Sequence, residues 1–364
     1  MGFYELALSL VPGIGDVLGK KLIGYCGSAE AVFRENKKLL RKVPRVGEKL
    51  LEAIGNKEIF LRAEKEMAFV TRYGIRVLSF MEKDYPSRLL NCIDSPQILF
   101  YKGTGSLNHP KVIGIVGTRN PTDYGREVCQ KLVSGLAEHQ VFIVSGLAYG
   151  IDTCAHKSAL DHGLLTAAVL GHGLDRIYPP FNKLLAEKII RQGGLVTDFP
   201  SNTEPDKENF PKRNRIIAGM SDAVVVVEAA PKGGALITAE IANSYNRDVF
   251  AIPGRIGDLY SEGTNALIRT NKASLIQSPE DILYLLGWEE GDKKPRVVQK
   301  KIFIDLTPEE KIIVDILSGI DKIGIDELAL QAALRMSVVS AALLNLEFEG
   351  VVRSLPGKVY ALVS

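Results

Sequence analysis

The chain has 364 residues, 46% of them hydrophobic and 24% charged; this balance excludes disorder, collagen and small disulfide scaffolds and allows two or three domains. Thirty-four glycines beside a single tryptophan point to a glycine-punctuated α/β architecture. The net charge of +2 hides an asymmetry, because residues 1–75 carry 13 Lys/Arg against 9 Asp/Glu while residues 302–364 carry 5 against 9. A nucleic acid therefore suits the first segment better than the last.

Residues 1–75 read as a domain of short helices. Two similar turns, Val11-Pro12-Gly13-Ile14-Gly15 and Val43-Pro44-Arg45-Val46-Gly47, each precede a Lys-containing helix. Residues 76–289 form the next expected domain. From Lys111 onward, continuous apolar runs at 112–116, 141–144, 166–170, 195–197, 223–227 and 249–252 alternate with helical patterns. Unbroken Val/Ile/Leu runs describe strands buried on both faces, hence a mainly parallel, doubly wound, Rossmann-like sheet. Residues 290–301 combine Gly, Pro and clustered charge and read as a linker. In residues 302–364, Thr307 caps a helix from Pro308, two more apolar periodic segments follow at 325–330 and 338–346, and a hairpin turns at Pro356-Gly357, which together describe a winged helix.

No apolar run approaches the roughly 20 residues of a membrane helix, so no membrane partner is expected. The first ten residues hold no basic cluster ahead of an apolar stretch, which reads as cytoplasmic. Cys26, Cys92, Cys129 and Cys154 lie far apart without CxxC or zinc spacing, so reduced, buried thiols and no metal are expected.

The candidate chemistry lies at the carboxyl ends of the strands, where an open parallel sheet binds ligands. The first turn, Gly117-Thr118-Arg119-Asn120-Pro121-Thr122, offers exposed amides, the positive end of the next helix and a guanidinium. Arg119 is suited to two-point phosphate contact or to a structural carboxylate. GxGxxG is missing and no acid ends the second strand, which argues against NAD; no cofactor is expected. The turns around Gly146 and Gly171-His172-Gly173 repeat the arrangement. Asp152 and His156, four residues apart, share a helix face as a carboxylate–imidazole pair, read first as fixing the helix and second as a general base. Lys212-Arg213-Asn214-Arg215 either contacts a phosphodiester backbone or pairs with nearby Asp206 and Glu208. The loop at Gly233-Gly234 opens another helix. It is similar to the PGGxGT…E loop of lysine-decarboxylase-like nucleotide hydrolases, but the spacing to Glu240 and the Ala235-Leu236 pair depart from that pattern.

Five stretches in order, 114–119, 145–156, Tyr178-Pro179, 210–219 and 249–254, resemble the bacterial DNA processing protein A (DprA/Smf) family over roughly residues 80–285. The resemblance implies an extended Rossmann domain that binds single-stranded DNA without cutting it, protects incoming DNA in natural transformation, loads the RecA recombinase and works as a homodimer. Carried over residue by residue, the DNA pocket comprises Gly117, Thr118, Arg119, Gly146, the region after Tyr178-Pro179, Arg213-Asn214-Arg215 with Lys212, and Gly233-Gly234. Two departures stand out. Pro180 occupies the position after Tyr-Pro where the family often has a basic residue, leaving Lys183 as its substitute, and Gly233 stands where the family usually has Ser. Phe181 is placed to stack on a base or to pack a helix. Pro12-Gly13-Ile14-Gly15 looks like a helix-hairpin-helix turn, as in SAM-like accessory domains, and both DNA contact and a purely structural role stay open for it. The third helix of the winged domain shows no Lys or Arg, which favours protein contact or regulation over duplex reading. A nucleotide-processing hydrolase is the alternative to DNA binding; turnover against gel retardation separates them.

Overall fold

The computed structural model describes residues 2–289, 306–320, 322–349, 351–355 and 358–362; the linker 290–301 and the turn at Pro356-Gly357 lie outside them. The chain divides into two compact units, Met1–Glu289 and Glu290–Ser364.

The first unit is built on nine strands: β1 Arg76–Ser79, β2 Ile98–Gly103, β3 Val112–Val116, β4 Phe142–Ser145, β5 Thr166–Val169, β6 Gly193–Thr197, β7 Ala223–Val226, β8 Asp248–Ala251 and β9 Ser274–Leu275. Their order is β1-β2-β6-β5-β4-β3-β7-β8-β9. Strands β3 to β9 run parallel, and every residue of β3, β4, β5 and β7 is buried, as the apolar runs require. The chain winds outward from β3 to β6, returns to β7 beside β3, and continues the other way. That reversal opens a crevice beyond the carboxyl ends of β3 and β7.

Three strands, β1, β2 and the two-residue β9, lie outside the expected set. β2 runs antiparallel to both β1 and β6, and its alternating side chains serve two cores: Leu99 and Tyr101 join the sheet core, Ile98 and Phe100 the core of the N-terminal helices. Those helices bury Leu6, Leu22, Leu51 and Val70 with them, which makes residues 2–289 one body. In the two similar turns, Gly13 and Arg45 occupy equivalent places with φ of 86° and 74°. The second turn thus keeps a left-handed residue where the glycine has been replaced.

In the second unit, helices Pro308–Ser318, Ile325–Ala332 and Met336–Phe348 enclose Ile313, Leu328, Leu343 and Leu346. Thr307 caps the first of them as expected, and Glu310 completes a capping box with it. Strands β10 Ile323–Gly324, β11 Val352–Leu355 and β12 Val359–Leu362 pair antiparallel in the order β10-β12-β11, completing a winged helix. Among the described residues no single helix is long and apolar enough to cross a membrane. All four cysteines are free thiols; Cys92, Cys129 and Cys154 are buried, while Cys26 is only half-buried, contrary to expectation.

Candidate nucleic-acid interface

The crevice between β3 and β7 is a cleft of about 430 Å³ lined by Gly117, Thr118, Arg119, Arg213, Asn214, Gly233 and Gly234, among others. Seven of the expected residues therefore meet in one place. Gly146 joins them from an adjoining cavity that Arg119, Tyr178, Phe210 and Arg213 also line.

The loop after β3 is held from beneath by Glu228, which is 3% exposed. Its main-chain oxygen accepts from the Thr118 amide at 2.8 Å, and its carboxylate accepts from the Thr122 amide at 3.0 Å and the Thr122 hydroxyl at 2.5 Å. Thr122 in turn caps the helix Asp123–Gly135. A carboxylate already occupies the positive end of this helix, so it is not the anion seat expected from the sequence. The helix Gly234–Ser244 fits that role better. Its N-cap is Gly233, its first turn holds no acid, and it opens into the cleft.

Arg119 is exposed and makes no ion pair among the described residues; its guanidinium lies 5.4 Å from the centre of the Phe210 ring. Arg213 is 4% exposed, and its Nε has no hydrogen-bond partner. A Cβ on Gly146 would run into the guanidinium of Arg213, which would have to shift to admit it. Burial pulls Arg213 down from its ordinary value, opposed by the charge of Asp152. Asp152 is itself pushed up by burial and held back chiefly by Arg213. A buried, incompletely satisfied guanidinium facing a cleft is a costly arrangement that a bound anion relieves.

Two expectations are corrected. Asp152 accepts from the Ala148 amide at 3.3 Å, whereas His156, fully buried, bonds the Thr166 hydroxyl at 2.7 Å. The two side chains take separate partners, and burial lowers His156 to about 3, which leaves it neutral. In the basic run, Arg215 turns away from the cleft toward the N-terminal helices, where it pairs with Asp16 at 2.9 Å and Asp198 at 2.5 Å and bonds the Asp94 carbonyl. Its partners are these, not Asp206 or Glu208. Lys212 faces the same side, in a groove shared with Arg45 and the Gly13-Ile14-Gly15 turn. Lys183 is exposed at the start of helix Lys183–Gln192, outside both cavities.

Two rings that the sequence did not single out as ligand contacts, Tyr149 and Tyr178, line the adjoining cavity, and Phe181, which it did single out, lies beside Tyr149. Tyr149, Tyr178 and Phe181 are 46%, 42% and 71% exposed, and they pair as Tyr149–Phe181 at 6.3 Å and Tyr178–Phe210 at 6.1 Å between ring centres. At that exposure Phe181 is not helix packing. The available signal was an aromatic residue beside each glycine turn.

A Rossmann-type crevice with the N-terminus of helix Gly234–Ser244, two guanidiniums and solvent-facing rings has the chemistry that suits anions carrying aromatic groups. The profile of the family described as "DNA recombination-mediator protein A" matches residues 76–287 and that of the "DprA winged helix domain" matches residues 304–358. The chain is similar to Protein Smf of Synechocystis, 36% identical over 98% of either chain. Similarity to DNA processing protein DprA of Streptococcus pneumoniae reaches 44% identity over 56% of this chain and 72% of the relative. The crystallographic DprA of Streptococcus pneumoniae superposes with a TM-score of 0.64 at 35% identity, covering 78% of this chain and 98% of that one. DNA processing protein A from Helicobacter pylori, described for its single-stranded DNA binding mode, gives 0.54 at 29% identity over 60% of this chain and 98% of that one. This chain belongs to the DNA processing protein A (DprA/Smf) family.

Proposed function

We propose that this protein binds single-stranded DNA in the crevice between β3 and β7, protects incoming strands, and loads the RecA recombinase onto them during transformation and recombination, working as a homodimer and without turnover of its ligand. The observation that carries the DNA reading is Arg213: a buried guanidinium with an unpartnered Nε, lining the same cleft as Arg119, Gly233 and Gly234. The phosphodiester supplies the missing acceptor, and the exposed rings at the rim take unpaired bases. Amides, cations and ring faces do not discriminate among bases, so binding is largely independent of sequence and falls with salt.

Titration with single- and double-stranded oligonucleotides of equal length tests this. Preference for the single strand, with affinity dropping steeply as salt rises, is expected. Equal affinity for duplex, or tight binding at ~1 M salt where the Debye length is about 3 Å, refutes it.

A further inference from the structure

Beside the crevice, helices Asp123–Gly135 and Ile151–Asp161 enclose a second groove of about 770 Å³. Arg126, Lys131 and Lys157 line it, all exposed. The acids at its edge are Glu127 and Asp161, and Asp123 pairs with Arg126 at 3.0 Å. Tyr149 borders both this groove and the cavity above Arg213. Phe181 forms part of the same wall, with the Lys157 ammonium 5.9 Å from its ring centre.

We infer that this groove is a second binding site, which takes the continuation of a single strand as it leaves the crevice across the Tyr149–Phe181 edge. This rests on the reading of the crevice given above. Three independent features converge on that ligand. Tyr149 lines both the groove and the cavity that adjoins the crevice. Its entrance offers two ring faces that only unpaired bases can cover. Its walls hold Lys131 on one helix and Lys157 on the other, neither with an ion-pair partner among the described residues, which suits a phosphodiester backbone running between them. A free mononucleotide would have no use for both sites together. A strand of more than a few nucleotides would use both.

The test compares Lys131→Ala/Lys157→Ala in the full chain against oligonucleotides of about four and about twenty nucleotides, lengths that fall below and beyond a typical single-strand site. The twenty-mer should bind on the order of tenfold more weakly, and its salt dependence should flatten by about 1.4, two phosphate contacts at about 0.7 each. The four-mer should bind as it does to the parent. Lys131→Arg/Lys157→Arg should restore the twenty-mer, which separates charge from folding. Unchanged twenty-mer binding, or equal loss for both lengths, overturns the second site while leaving the crevice standing. Failure of the parent protein to bind either oligonucleotide overturns the crevice reading instead.

Discussion

Replacing Arg213 together with Asp152 should weaken DNA binding while making the free protein no less stable, and the two effects can be read separately. The guanidinium is 4% exposed with an unpartnered Nε, so the ligand-free fold carries a desolvated charge that only Asp152 partly offsets. Arg213→Met alone removes that burden but strands Asp152, whose carboxyl burial already raises. Without Arg213 it rises further. A carboxyl raised in the folded state contributes stability that is present below its unfolded value of about 3.9 and lost as pH rises through the folded value. The single variant should therefore be at its best in acid and lose ground toward neutrality faster than the parent. Arg213→Met/Asp152→Asn removes both charges, and replacing a buried charge pair by neutral groups is neutral or stabilising by about 1–4 kcal/mol. At about 2–4 °C per kcal/mol, the double variant should melt level with the parent or up to about 15 °C higher. Its affinity for single-stranded DNA should fall by about 1.5–3 kcal/mol, the scale of hydrogen bonds to a charged group. Thermal melts at pH 5.5 and pH 8, with fluorescence anisotropy on a labelled oligonucleotide, measure both. A double variant that melts well below the parent but still binds DNA normally would make Arg213 a structural residue and refute the reasoning.

Arg119→Ala should weaken single-strand binding by on the order of 1–3 kcal/mol with an unchanged melting temperature, since the side chain is exposed and unpaired; normal binding would place the ligand elsewhere. Arg45→Gly should raise stability by about 1 kcal/mol by relieving a left-handed residue at φ 74°, which chemical denaturation reads directly. His156, lowered to about 3 by burial, makes stability fall as pH drops from about 6.5 toward that value, and His156→Gln should flatten this slope in acid melts. Removing residues 301–364 should leave single-strand affinity unchanged or slightly improved, because that segment carries more acids than bases; a loss of tenfold, about 1.4 kcal/mol, would assign the winged helix a grip on DNA.

The parallel strands β3 to β8 were legible because burial on both faces demands uninterrupted apolar residues, and the glycine turns because they punctuate those runs; β9, two exposed residues, carries no such signal. β1 escaped notice: four residues that include Arg76 carry no such signature. β2 does have a continuous run, Ile98-Leu99-Phe100-Tyr101, yet only the packing shows that it divides between two cores. The basic run at 212–215 illustrates the limit at the site. Composition marks the run, but helix rotation decides which cation serves which surface, sending Arg213 under the cleft with Phe210 and Ile217 and sending Lys212 and Arg215 toward the N-terminal helices. Glu228 shows the same limit from the other side. As a lone acid at a strand end it signals nothing, and its part in holding the Thr118–Thr122 loop comes from a partner more than 100 residues away.

The most direct measurement of the central claim is a crystal structure of the protein with a short single-stranded oligonucleotide. A phosphate within hydrogen-bond distance of Arg213 and of the amides that open helix Gly234–Ser244, with a base against Phe181 or Tyr178, is the predicted result. A strand lying instead along the Gly13-Ile14-Gly15 turn or the winged helix, with Arg213 untouched, would contradict it.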